Sequence, residues 1–289
     1  MGTSKANGQK VAIVTGSSSG IGYATSLLLA RNGFYTYASV HDINKSASLQ
    51  TIADSEKLPL KPIQLEVTDD SSVNDAVHKI VSEKGRIDVL VNNAGYGLFG
   101  AFEDLSMDEI KAQFETNFFG VIRVTQQVIP IMRTQRNGSR GGGIIVNVGS
   151  INGQLAFPVL SAYSATKFAI EGLSESIAYE LEPFGIKVIL IQPGPIRSNF
   201  MKVSLLPKRA LDPRSPYSEL VQKFYDKTNS QHDDAISPEE VAKTIFYAIS
   251  IEKPEFRYVV GNYALSLLEA RNNTPYSEFQ KMIIQNIMQ

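Results

Sequence analysis

A doubly wound, parallel α/β sheet is the fold class that this sequence predicts, and three observations predict it. Short β-branched runs alternate with helical patterns along the chain, the arrangement of successive βαβ units. The first run, at 10–14, passes through a glycine-rich turn straight into an alanine- and leucine-rich stretch. A later run, at 87–92, ends in a pair of asparagines, at the carboxyl edge where ligands of such sheets lie.

The elements follow in order. Apolar runs at 10–14, 35–40, 60–67, 87–92, 143–148, 187–192 and 256–260 read as seven strands. Helical patterns fall at 20–32, 70–84, 107–133, 161–181 and 238–250, enough to cover both faces of the sheet. The last helix begins Ser237-Pro238-Glu239-Glu240, a capping box with proline at the first helical position. Residues 133–143 form a polar, glycine-rich excursion whose arginines suit a solvated loop better than a phosphate site. Residues 195–235 lack the periodicity of the core and hold four prolines, which suits a lid over a site. From about 262 to 289 the chain forms an extension in which Phe279, Met282, Ile283 and Ile287 make an apolar stripe at helical spacing. That stripe could pack on the chain's own body, on a second subunit or on a membrane surface. No interior boundary appears, so residues 1–289 read as one domain.

The glycine turn runs Thr15-Gly16-Ser17-Ser18-Ser19-Gly20-Ile21-Gly22. Gly16 permits the tight turn, Gly20 lets backbone approach a pyrophosphate, and Gly22 lets the helix pack closely on the sheet. The helix amino terminus adds free N–H groups and partial positive charge for phosphates. Firm strand and helix patterns on either side argue against a glycine-serine linker. No Gly-Lys-Ser/Thr closes the run, so it is not a P-loop.

Bulk composition excludes several classes. The 28 basic and 29 acidic residues leave a formal net charge of −1, with no field to favour nucleic acid. Cysteine is absent, which removes disulfides, thiolate catalysis and thiolate-bound metals. The three histidines, at 41, 78 and 232, stand too far apart in sequence to form a ligand motif. No run of apolar residues is long enough to span a bilayer, and residues 1–9 lack the apolar centre of a signal peptide. A cytoplasmic protein is the expectation.

Chemistry enters with Ser150, Tyr163 and Lys167. On a helix, residues four apart lie on one face, so Tyr163 and Lys167 would point into the same space. A phenol titrates near 10, and lowering that to about 7 takes roughly 4 kcal/mol of extra stabilisation of the phenolate. One cation about 4 Å away supplies roughly that at an effective dielectric of about 20. Tyr163 could then serve as a general acid or base. In isolation such a pair reads as a half-exposed ring beside a solvated ammonium; the glycine turn and the Asn92-Asn93-Ala94-Gly95 strand end argue otherwise.

Taken together, Thr15-Gly-x-x-x-Gly-x-Gly22, Asn92-Asn-Ala-Gly95, Asn117, Ser150, Tyr163-x-x-x-Lys167 and Pro193-Gly194 resemble the short-chain dehydrogenase/reductase family over about residues 9–262. Residues 93–100 and 257–261 are similar to its 17β-hydroxysteroid and retinol dehydrogenase branch. The resemblance implies a Rossmann-type fold and a catalytic set of Asn117, Ser150, Tyr163 and Lys167. Tyr163 would exchange a proton with the substrate oxygen, Ser150 would hydrogen-bond that oxygen, and Lys167 would tune Tyr163 and hold the nicotinamide ribose. Asn117 resembles the asparagine that holds a water linking the lysine to solvent. Cofactor contacts would come from Gly16, Ser18, Ser19, Gly20, Ile21 and Gly22 at the turn. Asn93, Ala94 and Gly95 would join Tyr163 and Lys167 in contacting the cofactor. Pro193 and Gly194 would border the nicotinamide, with Ile196 and Ser198 at its carboxamide, and Glu66-Val67 stands where the family contacts adenine.

The second strand ends Ser39-Val40-His41-Asp42. NAD-selective relatives carry an acid where Val40 stands, and NADP-selective relatives often carry arginine where His41 stands. Ser18, Ser39 and His41 could donate to a 2′-phosphate, so NADP(H) is favoured, while Asp42 leaves NAD(H) open. Tyr96, Leu98, Phe99, Leu155, Phe157 and Phe200 are candidate walls of an aromatic pocket that would suit a hydrophobic ketone or alcohol. The expected activity is oxidoreduction of such a secondary or aldehyde-level alcohol and its carbonyl. A nucleotide-sensing protein without turnover is the alternative, though sensing alone needs no proton relay, and an NAD-dependent dehydrogenase of another alcohol class is a further one. The resemblance also implies a homodimer or homotetramer paired through the helices at 107–133 and 161–181.

Overall fold

The computed structural model describes residues 8–135, 142–197, 206–210, 212–230 and 235–288. Seven parallel strands form one sheet in the order β3-β2-β1-β4-β5-β6-β7. They are β1 Val11–Val14, β2 Tyr35–Val40, β3 Leu60–Gln64, β4 Val89–Asn92, β5 Ile144–Val148, β6 Lys187–Pro193 and β7 Arg257–Val260. β1 lies between β2 and β4, with Val14 in register with Ala38 on one side and Val91 on the other. The order therefore reverses beside β1, and the crevice outside its carboxyl end is the place for a ligand.

Strand alternation divides the core. Val11 and Ile13 face a layer made by Val73, Val77 and Ile80 of α3 (Asp70–Lys84) and by Val124, Val128 and Met132 of α5 (Gly120–Thr134). Ala12 and Val14 face the opposite layer. There Leu29 of α1 (Gly20–Arg31) meets Val241, Ile245 and Ile249 of α8 (Pro238–Ser250). The capping box at the start of α8 forms as expected: the Ser237 N–H donates to Glu240 at 2.7 Å and the Glu240 N–H donates to the Ser237 hydroxyl.

Three departures from the sequence reading are local, and the C-terminal extension follows one of its options. The helix expected over 107–133 is α4 (Met107–Phe114), a π turn (Glu115–Phe119) and α5. A helix α2 (Ala47–Glu56) follows β2, where few apolar residues mark it. In the stretch read as aperiodic, α7 (Ser218–Ser230) buries Val221 against Ala101, Val159 and Ala210. Its apolar set is short and set among charges. The C-terminal extension forms α9 (Asn262–Asn273) and α10 (Tyr276–Met288), joined to the body through β7, α7 and the turn that precedes α6 (Ser161–Leu181). Phe279 and Ile283 bury against Ile151, Leu155, Leu267 and Leu268, so the apolar stripe packs on the chain itself. The side chain of Ile287 and residues 136–141 lie outside the described set.

Candidate functional site

At the switch point the turn after β1 and the strand end after β4 are knitted together. The Thr15 hydroxyl accepts from the N–H groups of Asn93 at 2.9 Å and Ala94 at 3.0 Å. The Asn93 side-chain amide donates back to the carbonyls of Thr15 at 2.8 Å and Gly16 at 3.1 Å. Gly16 and Gly20 hold φ of +69° and +60°, the left-handed region that glycine enters without strain. A Cβ on Gly22 would lie 2.4 Å from the Gly16 carbonyl oxygen and 2.5 Å from the Asn93 amide. Gly22 is therefore a packing glycine. It does not line the cavity, a correction to its place among the cofactor contacts. Ser19 occupies the N-cap of α1 and makes no side-chain cap bond, so a phosphate would meet an N-terminus with no capping side chain in the way.

A second group forms where β5 meets α6. Lys167, on the same face of α6 as Tyr163, donates from Nζ to the Val148 carbonyl at 2.9 Å. Its ammonium lies 5.6 Å from the centroid of the Tyr163 ring. Burial raises the Tyr163 phenol from 10.0 to about 12 despite a hydrogen bond to Ser150 that pulls it down. Burial also lowers Lys167 from 10.5 to about 8. The spacing does bring the two side chains together. The sequence reading expects a phenol lowered by its neighbour; here both groups are withdrawn from water, and desolvation is the largest cause of each shift.

Two residues complete this group. Asn152 was not singled out by sequence reasoning: its N–H donates to the Ser150 hydroxyl at 3.1 Å and its amide donates to Ser164 at 3.3 Å. A Ser-x-Asn turn is the only local signal for it. Asn117 sits in the π turn, a geometry often found at functional sites. Its amide donates to the Tyr96 carbonyl at 2.9 Å, and its oxygen accepts the Tyr96 N–H at 3.1 Å. This side chain thus fixes the backbone that follows Gly95.

One cavity of about 1210 Å³ joins both groups. Its cofactor side is lined by Gly16, Ser18, Ser19, Gly20 and Ile21, then His41, Glu66 and Val67, then Asn93, Ala94 and Gly95. Asn117, Ser150, Tyr163 and Lys167 line it too, with Pro193, Gly194 and Ile196 beyond. Ser39 does not: it lies in the buried interior of β2, its hydroxyl has no partner, and its carbonyl accepts from the Ser17 N–H at 2.7 Å. Strand alternation turns its side chain into the core. Of the expected walls, Tyr96, Phe99 and Phe157 line the cavity. Leu98 and Leu155 are core residues, which corrects their assignment. Ser198 and Phe200 lie outside the described residues. Phe224 and Lys227 of α7, Tyr263 of α9, and Ile283 and Asn286 of α10 add walls that local sequence could not reveal.

The donor set fits a dinucleotide. A glycine cradle that a Cβ would fill, an N-terminus without a side-chain cap, and a continuous cleft from His41 to Tyr163 are all present. Among the described residues no cluster of metal-ligating side chains occurs, and no helix is long and apolar enough to cross a membrane.

Comparison with known proteins agrees with this geometry. The model of the family described as short chain dehydrogenase matches residues 10–208. An oxidoreductase of Bacillus subtilis, YusZ, is 36% identical over 279 residues, covering 95% of this chain and 97% of that protein. Human 17-beta-hydroxysteroid dehydrogenase type 1 is 35% identical, covering 92% and 81%. The 3-ketodihydrosphingosine reductase of Bacteroides thetaiotaomicron is 33% identical, covering 87% and 88%. Among solved structures, a short-chain dehydrogenase from Streptomyces avermitilis superposes with a TM-score of 0.80 at 32% identity, covering 95% of this chain and 96% of that one.

Proposed function

The chain belongs to the short-chain dehydrogenase family of oxidoreductases acting on CH–OH groups, and on that premise we propose that it interconverts a hydrophobic secondary or aldehyde-level alcohol and its carbonyl with NADP(H). The observation that carries this reading is the meeting of Ser150, Tyr163 and Lys167 inside a cavity also walled by Phe99, Phe157, Phe224, Tyr263 and Ile283. Two relatives named for a hydroxysteroid and a ketosphingoid point to the same chemical class.

In reduction, Tyr163 gives its phenolic proton to the carbonyl oxygen while Ser150 hydrogen-bonds that oxygen. Burial keeps the phenol protonated, with a pKa of about 12, so the acid form is the resting form. Lys167, near 8, holds a proton at neutral pH and can return one to the phenolate. In oxidation the same groups run in reverse. When bound, the nicotinamide supplies or accepts the hydride. Lys167 would hold its ribose hydroxyls, Ile196 would border its carboxamide, and Glu66-Val67 would border the adenine.

The preference for NADP(H) is supported at the end of β2. His41 lines the cavity, and Lys45 Nζ stands 3.4 Å from its Nε2. Asp42 is turned away, its carboxylate accepting the Asn44 N–H and side-chain amide at 3.0 Å each. The Lys45 ammonium and the His41 ring thus offer donors that would suit a 2′-phosphate at this end of the cleft.

The lid reading for 195–235 draws support from α7, which brings Phe224 and Lys227 to the cavity. Ser215 anchors the segment before it by donating to buried Asp104 at 2.6 Å. Lys227 donates to the Asn286 carbonyl of α10. Exposed Phe119, Phe168 and Tyr179 on the π turn and α6 favour a homo-oligomer. The test is oxidation of NADPH and of NADH against steroid ketones, ketosphingoids, retinal and small ketones. Turnover of an apolar carbonyl with NADPH supports the reading, and turnover of none of them sinks it.

A further inference from the structure

Glu171 follows Lys167 by one turn of α6, yet its carboxylate does not line the cavity. It is only 9% exposed, and burial raises its pKa while Gln192 and Arg257 pull it down. One oxygen accepts from the Gln192 amide, and the other accepts from Arg257 Nε of β7 at 3.1 Å. Gln192 is wholly buried and directly precedes Pro193-Gly194. Its own oxygen accepts from Gln154 at 2.8 Å, and Gln154 closes the turn that begins at Ser150. Within that turn Gly153 sits so close that a Cβ would lie 2.8 Å from Glu171 Cγ and 2.9 Å from the Lys167 carbonyl oxygen.

Three backbone segments at the reacting end of the cavity, the Ser150 turn, α6 and the end of β6, therefore meet around this carboxylate. Burying such a charge costs free energy that a well-packed apolar side chain would not, so stability alone is a poor reason for it.

We infer that Glu171 is a positioning residue: it locks the Ser150 turn, the Tyr163–Lys167 helix and the Pro193–Gly194 edge into one register. In doing so it sets where the two hydroxyls stand relative to the nicotinamide. The inference rests on the oxidoreductase reading proposed above. It is distinct from a proton-transfer role, because Glu171 touches neither hydroxyl.

The test compares wild type, Glu171→Ala, Glu171→Gln and Gln154→Ala with NADPH and 9,10-phenanthrenequinone as probes. Three quantities are read: kcat, NADPH affinity, and the emission of bound NADPH, which reports the surroundings of the nicotinamide ring. Glu171→Ala is expected to lower kcat about 10- to 100-fold and to alter the emission, with NADPH affinity unchanged. Glu171→Gln, which keeps a partner for Gln192, should recover most of the rate. Gln154→Ala, on the surface, should shift kcat and emission in the same direction as Glu171→Ala. Wild-type kcat and emission in both alanine variants would overturn the inference, as would a loss of kcat matched by a loss of NADPH affinity. Should Glu171→Ala fail to fold, Gln154→Ala decides by the same criteria. If the wild type binds NADPH but reduces no carbonyl, the proposed activity is at fault, and the emission still decides the positioning role.

Discussion

The Lys167 ammonium lies 5.6 Å from the centre of the Tyr163 ring while it donates to the Val148 carbonyl at 2.9 Å. The lysine is thus anchored to the end of β5, and the phenol beside it lines the cavity with Ser150. Since burial holds the phenol at about 12, alcohol oxidation, which needs the phenolate, should gain kcat/KM steadily as pH rises from about 7 to 10. Carbonyl reduction, which uses the neutral phenol, should not gain. Initial rates in both directions across that range check this, and a pH-independent oxidation would contradict it.

Stability should run against function at Lys167. Burial lowers its pKa from 10.5 to about 8, a gap worth about 3 kcal/mol. Below pH 8 the ammonium is charged in both states, and folding bears the whole cost of burying it. Between 8 and 10.5 the unfolded chain holds the proton and the folded one does not, so stability rises with pH. Replacing the ammonium also forfeits its bond to Val148, worth about 1–3 kcal/mol. Lys167→Met should therefore melt a few degrees higher at pH 7, gain less at pH 9.5, and lose activity. A lower Tm at pH 7 would refute the sign.

Two glycines should respond in opposite ways to alanine. At Gly22 the new methyl would meet the Gly16 carbonyl oxygen at 2.4 Å, so overpacking should cost about 1–3 kcal/mol and weaken NADPH binding. At Gly172, exposed on α6, the methyl meets open space, and helix propensity should add up to about 1 kcal/mol. Melting curves with and without NADPH measure both.

How much of this was legible in the sequence differs by element. All seven strands lie within a few residues of their expected places, because β-branched runs between helical patterns have few other uses in a doubly wound sheet. The glycine turn, the strand end at Asn93 and the Tyr163–Lys167 pair were legible for a similar reason: their geometry depends on local spacing. Ser39 was misjudged because one step of strand alternation decides between core and cleft, and position alone does not reveal that step. The α10 contacts of Ile283 and Asn286 with the cavity, and the Glu171–Gln192–Gln154 chain, join residues far apart in sequence. Only tertiary packing brings them together.

Cofactor choice should follow charge at the end of β2. Lys45→Ala should lower kcat/KM for NADPH about 5- to 20-fold, the range of one charge-assisted bond to a phosphate. The value for NADH should hardly move. Equal losses with both cofactors would remove Lys45 and His41 from 2′-phosphate recognition.

The most direct measurement is the oxidation of NADPH by wild type and by Tyr163→Phe, with the carbonyl that wild type reduces fastest and with NADPH binding confirmed for both. Loss of the hydroxyl should lower kcat by about 10²- to 10⁴-fold, the contribution of a general acid, with NADPH affinity retained. Matching rates in the two proteins would contradict the assignment of the proton to Tyr163, and the proposed chemistry with it.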